Sequence, residues 1–140
     1  MTTHFEFTLD ATPEQRDAIL APLRAYNLAQ VGDPLLQTFA WSLRETPGGA
    51  VIGGLYGRIA AGWMFIELLS VPEAMRGKGH GRQLMEQAEA LARERECIGI
   101  WLDTFSFQAP EFYRRLGFVV FGEINDYPPG HSRYFLQKRL

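Results

Sequence analysis

The chain has 140 residues, 46% hydrophobic and 21% charged, with 14 Lys and Arg against 16 Asp and Glu for a net charge of −2. That is the size and composition of one globular core, a single domain over residues 1–140, and 13% aromatics with so low a net charge exclude a disordered chain. The near balance also argues against a nucleic-acid partner, because such a binder needs a net basic face to displace counterions from phosphates.

Phe5, Phe7 and Leu9 alternate with Glu6 and Thr8, the period of a half-buried strand ending at Asp10. Thr12 followed by Pro13 and Glu14 reads as a helix start, since a hydroxyl caps free amides and proline suits the first turn. Ile19, Leu20, Leu23, Tyr26, Asn27 and Gln30 follow at helical spacing toward Gly32. From Leu36 to Val71 the pattern becomes strand, turn, strand, turn, strand. Phe39, Trp41 and Leu43 alternate with Ala40, Ser42 and Arg44, and Pro47-Gly48-Gly49 makes the reversal. Val51 to Tyr56 is the second of these strands and Gly57 to Gly62 the next turn. Trp63 to Val71 is nearly all apolar apart from Glu67, as a central strand covered on both faces would be, and an acid there needs a reason.

Further along, Leu84, Met85, Ala88, Leu91 and Ala92 share one helical face while Glu86, Gln87, Glu89, Arg93 and Glu94 point elsewhere. Ile98 to Leu102 is a short buried strand, a further helical stretch runs from about Ala109 to Leu116, and Gly117 ends it. Phe118 to Ile124 and Tyr134 to Leu136 are the last strands. The succession predicts an α/β (α+β) chain, a mixed central sheet of about six to seven strands with helices on both faces.

The single cysteine, Cys97, leaves no disulfide framework and no cysteine-rich zinc site, so no metal is expected. It falls where a helix gives way to a buried strand, with no histidine near in sequence to activate it, and reads as a structural thiol. No segment resembles a secretory signal and no run approaches the ~18 apolar residues of a membrane span, so a cytoplasmic chain without a membrane partner is expected.

Charge is unevenly placed. Residues 1 to 33 carry two basic side chains against five acids, whereas residues 76 to 82 carry Arg76, Lys78 and Arg82 with no acid. This stretch, Arg76-Gly77-Lys78-Gly79-His80-Gly81-Arg82, lies between the apolar strand and the long helix. Glycines let successive amides turn inward, and the helix start adds partial positive charge, so a phosphate is the natural guest. Neither the Walker pattern nor the dinucleotide fingerprint fits the spacing: no Ser or Thr follows Lys78, and Gly81 comes one residue early. A flexible basic surface turn is the plain alternative.

The sequence here resembles the GNAT N-acetyltransferase superfamily. The family pattern Arg/Gln-x-x-Gly-x-Gly/Ala appears as Arg76-Gly77-Lys78-Gly79-His80-Gly81, directly after a strand ending Leu69-Ser70-Val71. Phe112-Tyr113-Arg114-Arg115-Leu116-Gly117-Phe118 is similar to the family's Phe-Tyr-x-x-x-Gly-Phe. Both occur in order, and the resemblance covers nearly the whole chain. It implies the GNAT fold, splayed between the fourth and fifth strands, and transfer of an acetyl group from acetyl-CoA to an amine. By matching position, amides from Gly77 to Gly81 would hold the CoA pyrophosphate, with Arg76, Lys78, His80 and Arg82 around it. Backbone groups of Leu69, Ser70 and Val71 would meet the pantetheine arm in a gap beside Ile100 to Asp103. Where many members carry an asparagine touching the β-alanine portion of CoA, this chain has Ser106, so Ser106 or Gln108 would substitute.

Attack on a thioester needs a neutral amine and a protonated leaving thiolate. The resemblance makes Tyr113 the acid; a core tyrosine beside Phe112 is its plain alternative. Glu67, nine residues before Arg76, is the candidate base, directly or through water; its alternative is a strand acid paired with Arg58. His80 can only lie near the cofactor. Trp41, Tyr56, Trp63, Phe65, Phe105, Tyr127, His131 and Tyr134 are candidates for an acceptor wall, though strand aromatics also serve cores. The resulting expectation is direct transfer, in a ternary complex, to a primary amine of a small molecule or peptide, in a chain that can form a homodimer. A non-catalytic acyl-CoA-binding module is the rival reading.

Overall fold

In the computed structural model, which describes residues 1–140, the first helix begins where its cap predicts. Helix α1 spans Pro13–Val31; the Gln15 amide donates to Thr12 Oγ1 at 3.2 Å while the Thr12 amide donates to Gln15 Oε1 at 2.8 Å, a reciprocal capping box. Gly32, at φ 80°, ends it. This helix belongs to one unit, Met1–Pro34, and the sheet belongs to another, Leu35–Leu140. The strand expected over Phe5 to Leu9 does not form, and its three apolar side chains are exposed. The first unit holds no second strand, and a lone strand has no ladder to satisfy its amides and carbonyls.

The second unit is built on a six-stranded sheet. Its strands are β1 (Gln37–Arg44), β2 (Val51–Ala60), β3 (Trp63–Ser70), β4 (Gly99–Phe105), β5 (Val119–Asn125) and β6 (Ser132–Arg139). They lie in the order β1-β2-β3-β4-β6-β5, parallel only between β3 and β4. Helix α2 (His80–Glu94) makes the β3 to β4 crossover, a 3-10 turn (Glu73–Met75) precedes it, and α3 (Pro110–Arg115) links β4 to β5. Leu84, Met85, Ala88 and Ala92 of α2 pack on Leu55, Met64, Ile66, Ile100, Leu102 and Leu136 to form the core, all nearly solvent-free. Cys97 is buried among them, and the same burial pushes its thiol up from the ordinary range. The opposite face carries Phe65 stacked on Trp101 at 4.1 Å, with Arg58 4.6 Å above the Phe65 ring.

The turn expected at Gly57 to Gly62 is shorter: β2 runs on to Ala60, and Ala61-Gly62 reverses the chain. Gly57 is a strand residue. A Cβ there would lie 2.4 Å from the Phe65 carbonyl oxygen and 2.7 Å from the Phe39 ring, so close strand approach explains this glycine. Across from it the register slips, with Gly57 opposite Ile66 but Tyr56 opposite Leu68. Glu67 is the extra residue of a β-bulge, which bends a strand and sharpens its twist.

The bulge coincides with the end of pairing on the other side of β3. Trp63, Met64, Phe65 and Ile66 pair with Gly99, Ile100, Trp101 and Leu102, and nothing beyond them pairs. The gap expected beside Ile100 therefore opens later, from Glu67 and Asp103 onward. Gly57→Ala is expected to cost about 1–3 kcal/mol by forcing backbone apart at the bulge, read as a lower urea midpoint.

Candidate functional site

Past Ile66 the two strands enclose a cavity of about 970 Å³. One wall is the outer half of β3, including Leu69 and Ser70, with Val71 just beyond it. Gly54 and Leu55 of β2 pair with Ser70 and Leu69, so only the edge facing β4 is left without a strand partner. An unpaired strand edge offers amides and carbonyls to any extended, amide-bearing chain.

The floor is the loop entering α2. Arg76 Nε donates to the Val71 carbonyl oxygen at 3.2 Å, folding the loop back toward the strand. Gly79, the N-cap of α2, has φ 81°, a left-handed conformation that disfavours a side chain. The first backbone bond closing this end of the helix runs from the Gln83 amide to the Gly79 carbonyl at 2.9 Å, which leaves the amides of His80, Gly81 and Arg82 without intrahelical acceptors. Arg76, Gly77, Gly79, His80, Gly81 and Arg82 all line the cavity. Arg82 Nε also pairs with Glu86 Oε1 at 3.0 Å. Lys78 does not line the cavity; its side chain is on an exposed residue of the loop.

The far wall comes from β4 and α3. Phe112 and Tyr113 line it, with rings in edge contact at 5.1 Å, and the Phe112 ring would sit 3.4 Å from a Cβ on Gly81, which locks α3 against the start of α2. The Phe118 amide donates to the Tyr113 carbonyl at 3.1 Å as the chain leaves α3, and Gly117 takes φ 95° there. Tyr113 is half-buried, and desolvation, followed by the charge of Asp103, pushes its phenol up to about 12. The side chain is thus a protonated donor throughout the neutral range.

Gln108 lines the cavity, but Ser106 does not. Ser106 Oγ accepts the Ser132 amide at 3.0 Å and its own amide donates to the Ser132 carbonyl at 2.8 Å, which ties the end of β4 to β6. Gln108 Oε1 accepts from the Phe105 amide at 2.8 Å and Thr104 Oγ1 at 3.0 Å. Its amide group is therefore held at the cavity edge.

At the mouth stand the first residues past the last strand pair, Glu67 and Asp103. Glu67 is half-exposed and pairs with Arg58 at 3.8 Å. The bulge and the Arg58 pair show how an otherwise apolar strand accommodates an acid. Asp103, more deeply set, is held by Arg133 at 2.9 Å. Phe105 and Phe107 line the same end, stacked at 5.3 Å. Of the other aromatics considered for an acceptor wall, Trp41 packs on the core and Phe65 on Trp101. Asp103 and Phe107 escaped sequence reasoning. Only the strand register reveals that Asp103, like Glu67, is the first residue beyond the last β3–β4 pair, and Phe107 lies in a turn without periodicity.

Residues 5–118 match the acetyltransferase (GNAT) family. The chain is 40% identical over 130 residues to an acetyltransferase of Agrobacterium fabrum, covering 93% of this chain and 94% of that one. It is 44% identical over 93 residues to the blasticidin-S acetyltransferase of Streptomyces morookaense, covering 66% and 68%. The crystal structure of an acetyltransferase from Bacillus cereus superposes with a TM-score of 0.86 at 32% identity over 96% of this chain and 98% of that one.

A phenol raised in the folded state keeps its contribution to stability below the ordinary tyrosine range and loses it as pH climbs through that range to about 12. Between pH ~10 and the folded value, wild-type protein should therefore lose stability more steeply than Tyr113→Phe, read from urea melts at stepped pH.

Proposed function

The chain belongs to the acetyltransferase (GNAT) family and is an acyltransferase, and on that premise we propose that it moves an acetyl group from acetyl-CoA to a primary amine of a small molecule by direct attack in a ternary complex. The observation that carries this reading is the single cavity in which an unpaired strand edge, a glycine-rich helix start and a protonated tyrosine converge. A small-molecule acceptor, rather than a peptide, is favoured by the relative named for acetylating blasticidin-S.

The donor supplies its acyl group as a thioester, already activated toward amines. Its fit rests on two features of the chain. The free amides of His80, Gly81 and Arg82 at the positive end of α2, with Arg76 and Arg82 beside them, suit a pyrophosphate. The edge of Leu69 to Val71 suits the amides of a pantetheine arm, which it would take up as an added strand. Gln108, in place of Ser106, is the side chain available to the middle of that arm.

The reaction forms one N–C bond and breaks one C–S bond; a proton leaves the nitrogen and a proton reaches the sulfur. Glu67 at the mouth takes the first, directly or through water. Tyr113 gives the second and is refilled from solvent. Cys97 is buried in the core and does not line the cavity, which leaves transfer without an acylated enzyme as the simpler course.

Saturating acetyl-CoA should raise the melting temperature by several degrees, since ligand at a hundred times its Kd adds about 2.7 kcal/mol. Tyr113→Phe and Glu67→Gln should keep that shift while turnover falls about 10²- to 10⁴-fold. An unshifted melt contradicts cofactor binding, and unchanged turnover contradicts the assigned roles. A shift without turnover of any amine in a broad panel favours the acyl-CoA-binding module instead.

A further inference from the structure

Asp103 is held in a way that leaves half of its carboxylate unused. Arg133 reaches it twice, through Nε at 3.1 Å and its terminal nitrogen at 2.9 Å, and both contacts fall on Oδ1. No hydrogen bond within the chain is made to Oδ2. Arg133 has anchors besides Asp103: it donates to Tyr127 Oη at 2.8 Å and lies over the rings of Tyr127 at 4.9 Å and Phe135 at 5.3 Å. Fixing Arg133 therefore does not account for the second oxygen.

The position of Asp103 gives that oxygen a use. It lines the cavity, and its charge is felt by Tyr113, so it stands near the reacting end and away from the basic loop. Glu67 and Asp103 are each the first residue past the Ile66–Leu102 pair, where the strands part, and both line the cavity. Glu67 is likewise tied to one guanidinium only, at 3.8 Å. Phe105 and Phe107 line the same cavity, stacked on each other at 5.3 Å, with the Arg133 guanidinium 5.6 Å from the Phe105 ring. The opening thus has two carboxylates, each ion-paired with one guanidinium, and of these Asp103 keeps an oxygen that takes no hydrogen bond from the chain.

Resting on the acetyl-transfer reading, we propose that Asp103 is a specificity-determining residue that binds a second, non-reacting cationic group of the acceptor through Oδ2, so that the substrate class is an amine carrying a further ammonium or guanidinium. The reacting nitrogen loses its proton at Glu67 while the second cation stays charged on Asp103.

Equilibrium binding of 1,4-diaminobutane and of butylamine, measured on the acetyl-CoA-loaded protein and on the free protein, tests this without requiring turnover. The diamine should bind about tenfold tighter or better, the size of one charge-assisted contact. Asp103→Asn, which keeps an acceptor for Arg133, should abolish that preference and leave the acetyl-CoA thermal shift unchanged. Asp103→Glu should retain it. Should the Asn variant not fold, the carboxyl-carbon NMR resonance of Asp103 in the wild type decides: it should move on adding the diamine and stay still on adding butylamine. Equal binding of the two amines, or a preference surviving in Asp103→Asn, overturns the proposal. Loss of the acetyl-CoA shift in the wild type overturns the transfer reading instead, and the two failures are told apart by which ligand fails.

Discussion

One extra residue in β3 governs the rest of the second unit. Glu67 bulges out of the ladder with β2, and from that point β3 no longer pairs with β4. A parallel pair that stayed in register to Ser70 would satisfy every backbone group along it and leave no edge and no cavity. The bulge turns the outer half of β3 away while β2 still holds it, so an open edge is kept rigid. Gly57 permits the close approach of strands that this requires, with its own Cα opposite Ile66 and no room for a side chain.

The same bulge sets the electrostatic character of the cavity. The basic loop and the free amides of α2 occupy one end, and Glu67 with Asp103 the other. A net charge of only −2 for the whole chain conceals this separation. Glu67 and Asp103 are each paired with an arginine, Arg58 and Arg133, so the marked charge of the cleft is the positive one at its loop end. Tyr113 lies on the wall between those ends, where burial and the neighbouring carboxylate both keep its proton in place.

Much of this was legible in the chain itself. The three antiparallel strands, the amphipathic face of α2 and the stop at Gly117 follow from periodicity and turn chemistry, and the glycine-rich loop announces a helix start with free amides. What stayed hidden depends on pairing between distant segments. Gly57 looks like a turn residue in sequence and is a strand residue because Phe65 and Phe39 crowd it. Phe5 to Leu9 alternates like a strand, yet alternation cannot supply a partner. Ser106 does not line the cavity and ties β4 to β6 through Ser132, a contact that spacing alone does not show. Glu67 reads in sequence as an acid in an apolar strand; the register shows that it is the bulged residue and that it and Asp103 are the first residues past the last β3–β4 pair.

Amide hydrogen exchange with and without acetyl-CoA tests the parted strands as the donor site most directly. The expected result is slowed exchange at residues 67 to 71 and 77 to 82, with the amides of β1 and β5 unchanged. Protection that spares these two segments, or that spreads along β1 or β5 in their place, contradicts a donor site formed by the opening between β3 and β4.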